Sequence, residues 1–377
     1  MYRFFWILLF LTQISTAAAP RIICGNEEET CAAANDAWPW MVALVHSDQT
    51  PLAGQYCGGT LVHPSWVLTA AHCVDDMNPD DLYVVLGRTT LSAHTGERIH
   101  VTKIVKHPEY SIKNSKEPPH NDIALLLLDH PSRQPVLRIA EKYSDLIIED
   151  KPATVIGWGA MRLNPEHRYA DKLQQVSVPI VSNSVCNMPQ SYAGDIQEEM
   201  LCAGFAEGGK DACLGDSGGP LVVTNESGQW QQIGIVSFGE GCGEPNFYGI
   251  YTRVPFFQEF VSTTVCTPED VPASPQLRLQ IIPPPLQLQA QSQLQITDQS
   301  SLYRTIVSWN TVDRAQGYQF YCEPNCKLMS EVIHSVGLGP LTNFSGELTG
   351  GQSFDVGVRA YRDNCYSELN LEPVILP

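Results

Sequence analysis

The run Gly215-Asp216-Ser217-Gly218-Gly219-Pro220 suits nucleophilic chemistry. Amide hydrolysis at neutral pH needs a nucleophile held beside fixed donors for a developing oxyanion. A serine flanked by glycines meets that need, because the backbone turns tightly and a substrate carbonyl can come close. The N–H groups of Gly215 and Ser217 are the natural donors. Alone, such a run could also be an ordinary loop. Two further segments argue against that reading. Leu68-Thr69-Ala70-Ala71-His72-Cys73 sets a histidine directly after an apolar run, and Asn121-Asp122-Ile123-Ala124-Leu125 sets an aspartate at the start of another. A lone histidine is usually structural, and a lone aspartate before a strand is usually a turn residue. The three together predict a nucleophile, a general base and a group that orients the base.

The elements that must hold these residues read as β-strands. Short apolar runs alternate with Gly, Pro and Asn turns at Met41–Val45, Thr60–Thr69, Leu82–Leu86, Ile123–Leu128, Ala153–Ile156, Pro220–Val223 and Ile233–Phe238. This spacing predicts sandwiches or barrels of antiparallel strands. Phe256, Phe257, Phe260 and Val261 recur at helical spacing, so a short amphipathic helix is expected over 255–264. Thr267–Pro285 is rich in Pro and Gln and reads as an extended linker, with Leu286–Ile296 either strand or linker. Alternation at Thr305–Trp309, Gly317–Tyr321 and Phe354–Tyr361 predicts a second, smaller β domain.

The 377-residue chain is long enough for two or three domains. Its net charge of −18 argues against nucleic-acid binding through a basic face. That charge serves solubility, or steers basic substrates, and its even spread locates no site. Arg3, the apolar run Phe4–Leu11 and the small residues Ala17, Ala18 and Ala19 predict a secretory signal over 1–19, cut after Ala17 or Ala18. A secreted, extracellular protein is expected, with no membrane anchor in the mature chain. Twelve cysteines behind such a signal predict a disulfide framework. No Cys-x-x-Cys pair or His-rich cluster has zinc spacing, so no metal is expected, and the chemistry requires no cofactor.

Residues 22–265 resemble the chymotrypsin/trypsin family of serine proteases. The resemblance is carried by Ile22-Ile23, Trp38-Pro39-Trp40, Cys57-Gly58-Gly59-Thr60-Leu61, Thr69–Cys73, Asn121–Leu125, Gly157-Trp158-Gly159, Asp211–Pro220 and Gly249-Ile250-Tyr251-Thr252-Arg253-Val254. The order His72, Asp122, Ser217 also fits, and differs from that of subtilisin-like and α/β-hydrolase enzymes. The resemblance implies an all-β fold: two six-stranded antiparallel barrels with the active site in the cleft between them. It implies that Ser217 attacks the scissile carbonyl, that His72 moves the proton, and that Asp122 fixes His72, with Ser237 supporting Asp122. Asp211 matches the floor of the primary substrate pocket, where a carboxylate favours Arg or Lys. Gly239 and Gly249 match positions that keep the pocket mouth open. Phe238 and Tyr248 depart from trypsin, which has Trp and Pro there. In relatives of the clotting-protease kind, a Tyr at the second position accompanies a sodium site. Partners implied are polypeptides with Arg or Lys at the cleavage site, and proteinaceous serine-protease inhibitors.

Arg21 before Ile22-Ile23 matches the family's activation cleavage, so a zymogen with a very short propeptide ending at residues 20–21 is expected. The freed ammonium of Ile22 would then pair with Asp216. Cys24-Gly25 replaces the usual Gly-Gly after that start. The family pattern implies the disulfides Cys57–Cys73, Cys186–Cys202 and Cys213–Cys242. Proximity suggests Cys24–Cys31. The remaining four cysteines allow three pairings, of which Cys322–Cys326 and Cys266–Cys365 are favoured. The protease domain is expected over 22–266, the linker over 267–285 and a β-sandwich resembling fibronectin type III or immunoglobulin domains over 286–377. Asn225-Glu226-Ser227 and Asn343-Phe344-Ser345 match the glycosylation pattern. The competing reading is a silent homologue that only binds partners, and the joint presence of His72, Asp122, Ser217 and Asp211 argues against it.

Overall fold

The computed structural model describes residues 31–112, 118–142, 144–161 and 169–272, position 315, and the strands between 277 and 375 with the turn at 363–364. Six strands form the first barrel: β1 (Met41–His46), β2 (Gln55–His63), β3 (Trp66–Thr69), β4 (Leu82–Leu86), β5 (Glu97–Lys106) and β6 (Ala124–Leu128). They pair in the closed order β1-β2-β3-β6-β5-β4. The apolar run expected as one strand over Thr60–Thr69 is split by Pro64 and Ser65 into a hairpin of β2 and β3. Proline has no N–H to give to a ladder, so the chain turns there. β4 is buried along its whole length, as its unbroken Leu-Tyr-Val-Val-Leu requires. β5 instead alternates: Ile99 and Val101 point inward and His100 outward.

A connector containing β7 (Arg138–Ile139) leads to the second barrel. Its strands are β8 (Pro152–Gly157), β9 (Gln174–Val181), β10 (Met200–Ala203), β11 (Pro220–Thr224), β12 (Trp230–Phe238) and β13 (Gly249–Arg253). The order β11-β8-β9-β10-β13-β12 is closed by β11–β12 pairing, and β7 runs parallel to the outer edge of β12. Val42, Leu44, Leu61, Leu68, Val84 and Leu125 fill the first barrel, and Val155, Val178, Leu201, Leu221 and Ile233 fill the second. Each such side chain removed from water contributes about 1.5–3 kcal/mol. Trp38, Met41, Ile156, Trp158 and Val222 pack between them. The expected helix follows a single tight turn and spans Gln258–Val265. Its buried Val261 and Val265 pack back onto the first barrel's core.

The C-terminal part is two antiparallel sheets. One is β14 (Leu277–Ile282), β15 (Leu302–Trp309) and β17 (Asn343–Thr349). The other is β16 (Gly317–Glu323), β18 (Ser353–Arg362), β19 (Cys365–Tyr366) and β20 (Asn370–Ile375). β14 lies inside the stretch expected as linker. Its Leu277, Leu279 and Ile281 alternate with Arg278 and Gln280, a period-two pattern that suits a strand better than a spacer. Leu286–Ile296 lies outside the described residues.

The turn between β18 and β19 is fixed to the barrels. Asn364 is buried: its Oδ1 accepts from Ile139 N–H at 2.9 Å, and its Nδ2 donates to Val62 O at 2.6 Å and Leu137 O at 3.1 Å. The Arg138 guanidinium lies 3.8 Å from the Tyr361 ring centre and donates to the Tyr366 hydroxyl. Arg362 donates to Glu269 O and to Asp270, whose carboxylate also faces His63. A disulfide joins Cys266 to Cys365. One asparagine thus satisfies backbone groups of β2 and of the connector at once. Asn364→Ala would strand those groups, and should lower stability by about 3 kcal/mol. Urea unfolding of the intact protein measures this, and an unchanged midpoint would contradict the role of Asn364.

Candidate active site

His72 sits in the tight turn Ala71–Val74 that follows β3. Its backbone N–H donates to Asp122 Oδ1 at 2.9 Å, and its ring Nδ1 lies 2.7 Å from Asp122 Oδ2. Asp122 is 2 % exposed and lies two residues before β6. The preceding Asn121 has φ +51°, a left-handed conformation that asparagine tolerates, and its side chain donates to Glu109 O. The second barrel completes the aspartate's environment. Ser237 Oγ, near the end of β12, donates to Asp122 Oδ2 at 2.5 Å, and Thr252 Oγ1 on β13 donates to Asp122 O at 2.7 Å.

These contacts set the charges. Burial would raise the Asp122 pKa, but the His72 charge, its hydrogen bonds and that of Ser237 bring it below the usual carboxylate value. Burial would lower the His72 pKa, yet the charge and hydrogen bond of Asp122, with help from Asp75, leave it above the ordinary histidine value. The pair therefore holds a carboxylate against an imidazole that is ready to accept a proton.

Ser217 lies on the loop entering β11. Gly58 N–H donates to Ser217 O at 2.7 Å, and Gly218 N–H donates to Val236 O at 2.8 Å. Gly218 has φ +79°, and a Cβ there would meet Thr69 Oγ1 at 2.3 Å and Gly58 O at 2.5 Å. The glycine is thus required twice over, for its φ and for close approach to the strand that delivers His72. Among the described residues no Ser217–His72 hydrogen bond is formed; catalytic bonds are often long before substrate binds.

The donors beside Ser217 follow from peptide geometry. A trans peptide points its C=O and N–H in opposite directions. Ala160 N–H holds Leu214 O at 2.7 Å, which turns the Gly215 N–H the other way. Gly219 N–H holds Asp216 O at 2.9 Å, which does the same for the Ser217 N–H. Neither N–H is donated to another described residue.

Asp211 is 6 % exposed and accepts from Ala212 N–H and Gly243 N–H, both at 2.8 Å. Burial pushes its pKa up to about 7, against the pull of those two N–H groups. A Cβ on Gly249 would stand 2.6 Å from Asp211 Oδ1 and 3.0 Å from the Tyr251 hydroxyl, so this glycine keeps the space above the carboxylate clear. A Cβ on Gly239 would meet nothing closer than 3.8 Å. Cys213–Cys242 braces the segment, Cys57–Cys73 ties His72's turn to β2, and Cys186–Cys202 lies in the second barrel. Cys31 is also disulfide-bonded, while its expected partner Cys24, and Cys326, the expected partner of Cys322 on β16, lie outside the described residues.

Asp216 is fully buried and accepts from Gly159 N–H at 2.8 Å and Cys213 N–H at 2.9 Å. Burial pushes its pKa up to about 7. A Cβ on Gly157 or Gly159 would stand 2.0 Å or 2.5 Å from this carboxylate, which accounts for the Gly-Trp-Gly motif. Arg21 and Ile22 lie outside the described residues. Tyr248 is buried, and its carbonyl accepts from Tyr192 OH at 2.7 Å, while Tyr192 packs edge-on against Phe238.

Tyr192, Leu214, Tyr169 and Gln55 escaped the sequence reading. Leu214 is half exposed beside Gly215, and Tyr169 covers the Gly215 Cα. Only Gln55 had a signal, its place just before the Cys57-Gly58-Gly59 motif. Cys57, His72 and Cys73 bring ligand atoms together, but the two sulfurs are joined, so no thiolate is available for a metal.

Two closed β-barrels with this cluster at their seam define a class, the serine endopeptidases. The sequence profile of the trypsin family matches residues 29–261, and the chain belongs to that family. Among curated relatives, it is 40% identical over 216 residues to "Trypsin" of Saccharopolyspora erythraea, covering 57% of this chain and 88% of that protein. It is 38% identical over 217 residues to "Trypsin eta" of Drosophila erecta, covering 56% of this chain and 78% of that one. The strands beyond residue 277 lie outside the family match. Among the described residues no helix is long and apolar enough to cross a membrane.

The Asp211 carboxyl makes a prediction about pH. Its folded pKa of about 7 stands above the unfolded value, so the native state holds an extra proton between the two. Stability is therefore lost as pH rises from about 4 toward 7. Asp211→Asn should match wild type in melting temperature near pH 4 and exceed it by several degrees near pH 8. Equal melting temperatures at both pH values would contradict the buried, uncompensated carboxyl.

Proposed function

We propose that this protein is a secreted, trypsin-like endopeptidase that cleaves after Arg or Lys, with His72, Asp122 and Ser217 as its catalytic triad. The observation that carries the specificity is Asp211, a buried carboxylate with only backbone donors and a space above it cleared by Gly249. Arg or Lys entering that space neutralises the carboxylate and restores its ionised form.

In this reading the Ser217 Oγ–carbon bond forms as His72 Nε2 takes the hydroxyl proton. The carbonyl oxygen becomes an oxyanion facing the N–H groups of Gly215 and Ser217. The C–N bond then breaks, His72 gives its proton to the leaving amine, and an acyl-enzyme remains. Water, activated by the same histidine, releases the acid and restores Ser217. Asp122 holds the imidazole tautomer and stabilises the imidazolium. Because His72 must be neutral to act, activity rises with pH through its elevated pKa.

The protein is made as a zymogen opened after Arg21. Support comes from Asp216, whose buried carboxylate has two backbone donors and a pKa pushed to about 7. An ammonium from Ile22 would supply the missing charge, since a buried carboxylate needs a partner. The domain plan is a signal over 1–19, a propeptide remnant at 20–21, a protease domain over 22–266 and a C-terminal β domain whose first strand is β14. Polypeptides with Arg or Lys at the cleavage site are its partners.

The test uses protein cleaved after Arg21 and three fluorogenic peptides that differ only in Arg, Phe or Ala before the scissile bond. Turnover of the Arg peptide alone is expected, and Ser217→Ala should lose a factor on the order of 10⁴–10⁶. Equal turnover of all three would reject the role of Asp211. No turnover of any, with Ile22 as the N-terminus, would favour a silent binding homologue.

A further inference from the structure

The loop from Cys213 to Ser217 contains three peptide units whose orientation decides whether the oxyanion donors face the cleft. Two are clamped by backbone groups of the second barrel, as described: Leu214 O by Ala160 N–H, and Asp216 O by Gly219 N–H. The middle unit joins Gly215 to Asp216. Its N–H reaches Cys213 O at 2.9 Å within the loop itself. Its carbonyl is held from across the domain seam, by the side chain of Gln55 at 2.8 Å.

Gln55 begins β2 in the first barrel and is 9 % exposed. Its Nε2 donates twice, to Gly215 O at 2.8 Å and to Cys57 O at 3.2 Å. Both partners are carbonyls, so only the NH₂ end of the amide can face them. The β1–β2 register shifts here, with Leu44 opposite Cys57 but Val45 opposite Gln55. Such irregularities re-aim side chains beside active sites. Gly215 needs that external hold. It has φ +89° and no side chain of its own, so both peptides flanking its Cα are soft. On its other side the Tyr169 ring packs, at 2.9 Å from where a Cβ would be.

We propose that Gln55 is a positioning residue for the oxyanion donors: its amide pins the Gly215 carbonyl and so keeps the Gly215 and Ser217 N–H groups aimed at the reacting oxygen. This rests on the Ser217 mechanism proposed above. Gln55 touches no reacting atom. Its loss acts on charge developed in the transition state and leaves the Asp211 pocket intact.

The experiment compares activated wild type with Gln55→Met, which keeps the volume and removes the donor. Two inhibitors separate the roles. A peptide boronic acid with Arg at its reactive end forms a tetrahedral adduct on Ser217 and uses the oxyanion donors. Benzamidine carries only the cation for Asp211. In Gln55→Met, kcat on an Arg peptide should fall about 10- to 100-fold with KM little changed. Boronic-acid affinity should fall in parallel, while benzamidine affinity stays at the wild-type value. An unchanged kcat and boronic-acid affinity would overturn the proposal. Equal loss for both inhibitors would also overturn it, because Gln55 would then be a general packing residue. Should Gln55→Met fail to fold, Gln55→Glu keeps the shape and puts an acceptor against the carbonyl, and the same split is required of it. If wild type itself binds benzamidine but forms no boronic-acid adduct, the Ser217 mechanism fails and the inference with it.

Discussion

The Asp122 carboxylate is the constraint on which the rest of this structure depends. It is a charge buried at the seam of two barrels, and a buried charge without partners costs several kcal/mol. Every partner comes from an element that the site needs elsewhere. His72 supplies two of its hydrogen bonds from the first barrel. Ser237 on β12 supplies the third from the second barrel, and Thr252 on β13 donates to the backbone carbonyl of the same residue. Satisfying this one residue therefore fixes His72 and ties the first barrel to β12 and β13 of the second.

The same logic of buried charge recurs at Asp211 and Asp216. Both are pushed toward a neutral form by burial, and both accept only backbone N–H groups among the described residues. Such groups are poised for a cation. The three carboxyls differ by what surrounds them. Asp122 has its histidine and stays ionised, while the other two have space or chain start directed toward them in the proposed mechanism.

Much of this was legible in the sequence because it rests on chemistry that leaves few choices. The glycines at 157, 159, 218 and 249 stand where a Cβ would strike a carboxylate or a strand, so the motifs around them are short and strict. The strands with unbroken apolar runs, such as β4, were equally plain. Other elements were not. β9 alternates too weakly, with Gln174, Gln175 and Ser177 among its residues, and β14 hid in a stretch whose prolines read as linker. Gln55, Tyr192 and Asn364 act through contacts between residues far apart in sequence: the place of Gln55 before the Cys57-Gly58-Gly59 motif is a local signal, but nothing local shows that it will meet a loop 160 positions away.

The direct test of the account is the role of Asp122. Activated wild type and Asp122→Asn would be reacted with a fluorophosphonate probe, and the labelled residue mapped. Wild type should label at Ser217. The variant, folded as judged by its melting curve, should label slower by a factor on the order of 10⁴, because the amide holds His72 in the wrong tautomer. Labelling of Asp122→Asn at the wild-type rate would contradict the claim that this buried charge organises the site.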